Sequence, residues 1–175
     1  LYQGEELGLS EAYVPFEELQ DPYGKRFWPK YRGRDGCRTP MVWITDNLHG
    51  GFSEAKPWLP VAMEHLQRSV GAQEGDPLSI LSFYRRMIAF RRQYPALLKG
   101  GFRMIGSNPE YVSFVRVLDG REIFCAFNLS EIDQTAEMPD GTWRALPGTG
   151  FASSVEENGA YLPAWQALFA EKVEQ

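Results

Sequence analysis

Only one stretch of this sequence sustains a helical period, and it divides the chain into two parts that cannot fold by the same rule. Between Asp76 and Pro95, apolar residues recur at Ile80, Phe83, Met87, Phe90 and Tyr94, spacings of three and four that make one stripe on a helix. Leu81, Tyr84 and Ile88 widen the stripe, and Arg85, Arg86 and Arg92 sit nearer its polar side. Those arginines suit a solvated face whose stems cover apolar surface, or ligand contacts. Asp76 is a good N-cap and Pro77 suits the first helical position, while Pro95 followed by Gly100 and Gly101 closes the element.

Upstream, residues 1–75 are punctuated by Pro15, Pro22, Pro29, Pro40, Pro57 and Pro60, each of which interrupts a helix or strand. The stretch reads as one long, structured loop, and loops of that length are usually functional. Its Tyr23, Phe27, Trp28, Tyr31, Trp43 and Trp58 either pack the loop down or meet a ligand. Downstream, the period changes to alternation. Tyr111–Val117 and the apolar run Ile123–Phe127 form a predicted hairpin across Asp119-Gly120. Gln134–Met138, Thr142–Leu146 and Tyr161–Phe169 are further short strands, separated by Pro139-Asp140-Gly141, Pro147-Gly148 and Asn158-Gly159. Six or so such strands argue for a small antiparallel sandwich or barrel.

Composition excludes several functions. The net charge of -5 is scattered along 175 residues without a basic run, so no field for nucleic acid is built. The longest apolar stretch, Leu78–Phe90, is interrupted by Arg85 and Arg86 and falls far below the roughly 20 residues that span a bilayer, so no membrane helix is expected. Cys37 and Cys125 suggest neither a disulfide framework nor a CxxC metal site, which makes two free thiols of a reducing, cytoplasmic setting the expectation. His49 and His65 have no further ligands at zinc spacing and read as ordinary surface or loop histidines. No cofactor is implied. The opening LYQGEELGL has neither a basic n-region nor a cleavage site, so the sequence reads as starting inside a larger protein.

Candidate acids are Glu5, Glu6, Glu11, Glu17, Glu18, Asp21, Asp35 and Asp46. Glu5 and Glu6 are adjacent, so on an extended chain they point to opposite sides and cannot flank one scissile bond. The informative segment is GRDGCRTPMVW, residues 33–43. Arginine carries a planar fork of donors and keeps its charge, which suits bidentate contacts to vicinal hydroxyls or to a buried carboxylate. Arg34 and Arg38 therefore fit either ligand contact or bracing of the loop against Asp35.

Four blocks in order, YQGEELG (2–8), GRDGCRTPMVW, Gly51-Phe52-Ser53 and Lys56-Pro57-Trp58-Leu59, resemble the end of the catalytic domain of bacterial α-glucosidases and oligo-1,6-glucosidases of the α-amylase superfamily, glycoside hydrolase family thirteen. The run DPLSILSFYRRMIAFRRQYPAL (76–97) continues the likeness. The resemblance implies an α+β chain: the last strand, long active-site loop and last helix of a (β/α)8 barrel over residues 1–97, then a C-terminal antiparallel β-sandwich domain over 98–175. Leu1–Gly4 would end the eighth strand and residues 5–75 would form the loop at the active-site mouth. It further implies substrate-binding residues Arg34, Asp35 and Arg38. Arg34 would bind the terminal glucosyl unit, with Asp35 and Arg38 holding the loop in shape, and Phe27 and Trp28 as candidate sugar-stacking rings.

The family's retaining chemistry needs an aspartate nucleophile, a glutamate acid/base about 5–5.5 Å away and a further aspartate. Motifs of the types that carry them, GxRxD and NHD, do not occur in these residues. The resemblance thus implies the C-terminal part of an α-glucosidase acting on terminal bonds of short α-glucoside oligosaccharides, with no catalytic residue in this stretch and no activity by itself. The helix stripe would pack on barrel strands outside it, so burial worth several kcal/mol at about 25 cal/mol per Å² favours association with the rest of the barrel or with another copy. The rival class is a non-catalytic glucosidase-like binding or assembly module, which has no need of Arg34 in an intact loop. A transglycosylating or isomerising relative is a third reading that these residues do not decide.

Overall fold

The alternating residues after Gly101 become two packed antiparallel sheets. The computed structural model describes residues 1–173. The chain forms two compact units, Leu1–Arg85 and Arg86–Gln175. In the second unit the strands are β1 (Gly101–Ser107), β2 (Tyr111–Leu118), β3 (Arg121–Asn128), β4 (Gln134–Ala136), β5 (Thr142–Ala145), β6 (Ser154–Glu156), β7 (Gly159–Leu162) and β8 (Ala167–Val173). They pair in the orders β1-β2-β3-β8-β5 and β4-β7-β6.

Period-two geometry sends Val115, Phe124, Ala126, Leu168 and Ala170 to one face of the larger sheet, where they bury with Ala136, Ala160 and Leu162 of the smaller one. Ile123, Cys125 and Phe169 point the other way. They cluster with Phe90, Ala96 and Leu97, which come from α4 (Ile80–Gln93) and α5 (Pro95–Lys99). The rings of Phe90 and Phe169 meet edge-on at 5.1 Å between centroids. Asn128 is buried, and its Nδ2 donates to the carbonyls of Ile132, Leu162 and Pro163 while its Oδ1 accepts from Ser130, so one side chain satisfies a strand junction that no ladder reaches.

The hairpin across Asp119-Gly120 forms as its sequence dictates, with φ of 50° and 82° at the two turn residues, the pattern of a type I′ turn. Elsewhere the structure departs from the sequence expectation. Tyr161–Phe169 is two strands and not one, because Pro163 supplies no N–H and the linking Trp165 takes a φ of 60°. Its backbone N–H donates to Ser130 O instead of to a ladder. Strands β1 and β6 lie outside the expected set; β1 lacks alternation at its glycines and is bulged between Met104 and Gly106.

The predicted helix starts later than its Asp76-Pro77 signal. Asp76 Oδ1 accepts the Leu78 N–H in a local turn, and Ser79 Oγ accepts the Ser82 N–H one turn further on, so α4 begins at Ile80. Pro95 does not end the helical path but opens α5 at its first position. Of the expected apolar stripe, Phe90 is buried, with Met87 and Tyr94 packed beside it. Ile80 and Ile88 remain 42% and 37% exposed.

The first unit is not a featureless loop. It holds the short helices α1 (Pro22–Phe27), α2 (Met63–Leu66) and α3 (Val70–Gln73), and 3-10 turns at Glu5–Leu7, Phe16–Glu18 and Asp35–Cys37. Leu7, Met41, Val42, Leu66 and Leu81 bury together, and Val14, Leu19 and Leu59 form a second cluster against Trp28. Residues 1–4 form no strand, because no segment of this unit pairs with them; Gly4 instead takes a φ of 97° at the head of a 3-10 turn. His65 also departs from expectation. It is buried on α2, with Nε2 at 3.0 Å from Ser10 O, and so serves the core and not the surface. Among the described residues no helix is long and apolar enough to cross a membrane.

Phe124 is fully buried between the two sheets. Phe124→Ala is expected to lower unfolding free energy by about 3–5 kcal/mol, read from denaturant midpoints at unchanged slope.

Candidate functional site

The GRDGCRTPMVW segment is built around two carboxylates that hold each other's backbone. Asp35 is 0% exposed, and its Oδ2 accepts the N–H groups of Gln20 at 2.6 Å and Asp21 at 2.8 Å. Asp21 returns the contact. Its Oδ2 accepts the Arg34 N–H at 3.1 Å, while its Oδ1 accepts those of Tyr23 at 2.8 Å and Gly24 at 3.2 Å and so caps α1. Hydrogen bonds to an ionised acceptor are stronger than neutral ones, so residues 20–24 and 34–35 are fixed to one another despite their separation in sequence. A third segment joins at Gly36, where an added Cβ would lie 2.3 Å from the Ala12 carbonyl oxygen. Only glycine permits the Ala12 N–H to reach Gly36 O at 3.0 Å.

Each sequence-predicted residue has a distinct place in this arrangement. Asp35 is the buried support. Arg38 Nη1 lies 3.9 Å from Asp21 Oδ2, so the carboxylate it faces is Asp21 and not Asp35. Arg34 is exposed; its backbone is held by Asp21, and its carbonyl accepts the Cys37 thiol at 3.1 Å. Among the described residues its guanidinium has no hydrogen bond or ion pair. The Gly24 N–H above all, with those of Arg34 and Tyr23 and the charge of Arg38, holds the Asp21 carboxyl below its ordinary 3.8 against the opposing cost of burial.

The other candidate acids do not assemble a site. Glu6 Oε2 accepts the Gly4 N–H at 2.9 Å within its own turn, and Glu18 pairs with Lys56 at 3.1 Å. Glu5 and Glu11 line a pocket of ≈ 90 Å³ with Tyr2, Cys37 and His65, far below the roughly 300 Å³ at which ligand pockets begin. Glu17 and Asp46 are exposed. Trp28 is half-buried against Tyr13 and Phe16, with the Arg32 guanidinium 4.9 Å from the Tyr13 centroid and 5.9 Å from that of Trp28. Phe27 and Tyr23 are exposed. Both cysteines are free thiols, and burial pushes Cys125 up to about 12. No three metal-ligating side chains gather among the described residues.

Asp21 was legible only as one acid among eight. Its Asp-Pro pair carries the same N-cap signature as Asp76-Pro77, and here the signature marks a true cap. Because its folded pKa is depressed, Asp21 contributes stability that is fully present above its ordinary value of 3.8 and lost as pH falls through the lower folded value. Thermal unfolding between pH 5 and 2 is therefore expected to show a smaller acid-induced loss for Asp21→Asn than for the parent, from a lower starting stability.

Comparison with known proteins agrees with the motif blocks. Residues 1–100 match the catalytic domain of the alpha-amylase family. A probable alpha-glucosidase of Rhizobium meliloti (strain 1021) is 48% identical over 171 residues, which are 97% of this chain and 31% of that protein. The oligo-1,6-glucosidase of Parageobacillus thermoglucosidasius is 29% identical over 80% of this chain and 28% of its own length. Among solved structures, the alpha-glucosyl transfer enzyme XgtA superposes with a TM-score of 0.91 at 39% identity, covering 99% of this chain and 32% of that one. The chain thus spans about a third of the length of the relatives it matches. With more than half of its residues matched by that catalytic domain, the chain belongs to the alpha-amylase family.

Proposed function

We propose that this chain is the C-terminal part of a retaining α-glucosidase that hydrolyses terminal α-glucosidic bonds of short oligosaccharides. In this reading residues 1–97 supply the end of the eighth strand, which would pair only with barrel strands outside these residues, together with the long loop and the last helix of the (β/α)8 barrel, and residues 98–175 are its C-terminal antiparallel domain. The observation that carries it is Arg34: an exposed guanidinium without a partner among the described residues, on a backbone pinned by Asp21. An arginine that braced its own loop would be paired. Its fork instead stands ready for vicinal hydroxyls of a glucosyl unit, with Asp35 and Arg38 as supports that keep the loop from adjusting.

The catalytic aspartate, glutamate and second aspartate belong, in this account, to polypeptide outside these residues, and the 175 residues alone are inactive. The one-third coverage of the relatives and the absence of the motifs that carry those carboxylates support this. The exposed Ile80 and Ile88 would meet the rest of the barrel or another copy. Two unpaired thiols favour a reducing, cytoplasmic setting. A second reading, transfer of the glucosyl unit to a sugar instead of to water, is favoured by the likeness to an alpha-glucosyl transfer enzyme. The same covalent intermediate serves both outcomes.

In the full-length protein, Arg34→Ala is expected to lower kcat/KM for maltose about 10- to 100-fold, the size of a lost hydrogen bond to a charged group. An unchanged kcat/KM removes Arg34 from the glucosyl site. The isolated polypeptide is expected not to cleave a nitrophenyl α-glucoside; turnover near that of the full-length protein contradicts the placement of the catalytic groups.

A further inference from the structure

The paired register between β3 and β8 ends at Ile123 and Glu171, yet β3 begins two residues earlier, at Arg121, and β8 runs on to Val173. Past that last pair the two strands part. A cavity of ≈ 800 Å³ lies at their ends, lined also by Asp140 and Gly141 of the turn before β5. A second cavity of ≈ 410 Å³, lined by Tyr94, Pro95, Leu118 and Ile123, shares Arg121 and Glu171 with the first. Both fall in the size range of ligand sites, roughly 300–1,000 Å³. All of these residues belong to the second unit.

The larger cavity is lined by both signs of charge: Arg121, Arg144 and Lys172 against Glu122, Asp140 and Glu171. Glu122 and Glu171, with side chains 20% and 29% exposed, are its recessed groups. Arg103 at 2.8 Å and Lys172 at 3.1 Å hold Glu122, and Arg144 at 3.4 Å holds Glu171. Arg121 and Asp140 are exposed and, among the described residues, make no hydrogen bond or ion pair. Because the charges balance, an ion of either sign gains little from their summed field. A neutral ligand rich in hydroxyls uses both signs, since one hydroxyl can donate to a carboxylate and accept from a guanidinium. No ring is among the lining residues of the larger cavity, so it offers neither an apolar slot nor the aromatic anchor of a protein interface. The smaller cavity supplies a single ring: Tyr94, half-buried and fixed against Phe90 at 4.9 Å between centroids, a face that suits the C–H side of a pyranose.

We propose that the cleft where β3 and β8 part is a binding site for a neutral oligosaccharide. Arg121 and Asp140 contact its hydroxyls from the rim, Glu122 and Glu171 receive them from below, and Tyr94 carries one sugar ring in the adjoining cavity. The site shares no residue with the Arg34 segment and goes beyond the α-glucosidase reading, on which it does not depend. It would hold a saccharide chain on the C-terminal unit without cleaving it.

The test is electrophoresis of the full-length protein in native gels that contain glycogen or a soluble mixed-linkage β-glucan, each mobility being taken relative to a glucan-free gel. The parent is expected to be retarded in at least one of the two, and the gel that retards it names the linkage. Arg121→Ala and Asp140→Ala change exposed, unpaired side chains, so folding is expected to survive, which an unchanged thermal midpoint checks. Arg121→Ala is expected to raise the dissociation constant obtained from the retardation about 10-fold or more, the size of a lost hydrogen bond to a charged group, and Asp140→Ala by a smaller factor. Arg34→Ala is expected to stay as retarded as the parent. Free passage of the parent through both gels overturns the site, and so does full retardation of both cleft variants. Loss of retardation in Arg34→Ala alone assigns the binding to the Arg34 segment and likewise overturns it. A parent that is retarded but cleaves no α-glucoside leaves the cleft standing while the α-glucosidase reading falls.

Discussion

Asp21 and Asp35 between them accept the N–H groups of Gln20, Asp21, Tyr23, Gly24 and Arg34. These are backbone groups of a loop with no ladder to satisfy them, and a buried unpaired N–H costs about as much as a lost hydrogen bond. The two side chains thus do for this segment what a strand partner does elsewhere. Because each carboxylate grips the backbone that bears the other, neither segment can shift alone. The exposed Arg34 inherits its position from that reciprocity, and so does α1.

The two units solve the problem of backbone satisfaction in different ways. In residues 86–173 the ladders of two sheets use most of the local donors, and apolar burial on both faces of the larger sheet fixes register, since a slip of one residue would exchange the Phe124 face for the Cys125 face. In residues 1–85 the apolar clusters are small, and polar side chains take over: Gln73 reaches the carbonyls of Leu7 and Arg68, and His65 reaches that of Ser10. Such a loop is positioned by specific polar contacts and leaves its rings and cations outward. That is the property a ligand-facing segment needs.

Sequence made the periodic parts legible. The α4 stripe, the Asp119-Gly120 hairpin and the short strands behind it emerge from spacing alone. It misled where one local signal had two outcomes. Asp76-Pro77 and Asp21-Pro22 look alike, yet the first makes a turn ahead of the Ser79 cap and the second caps α1 directly. Their spatial neighbours make the difference, since Asp21 has the Arg34 backbone to hold. Likewise, the GRD string singled out Arg34 and Asp35 but not Asp21, whose partners stand 13 and 14 residues away and are joined by no period. His65 is buried for a similar reason: a carbonyl 55 residues upstream receives its ring, and nothing near it in sequence reveals this.

If the two carboxylates act as one unit, loss of either loosens the backbone that the other holds. Amide hydrogen exchange in the parent and in Asp35→Ala measures this most directly, residue by residue at neutral pH. Asp35 accepts only the amides of Gln20 and Asp21, yet its removal is predicted also to deprotect Tyr23, Gly24 and Arg34, which Asp21 alone accepts. Deprotection confined to Gln20 and Asp21, with Arg34 and the start of α1 as slow to exchange as in the parent, would contradict the reciprocal hold.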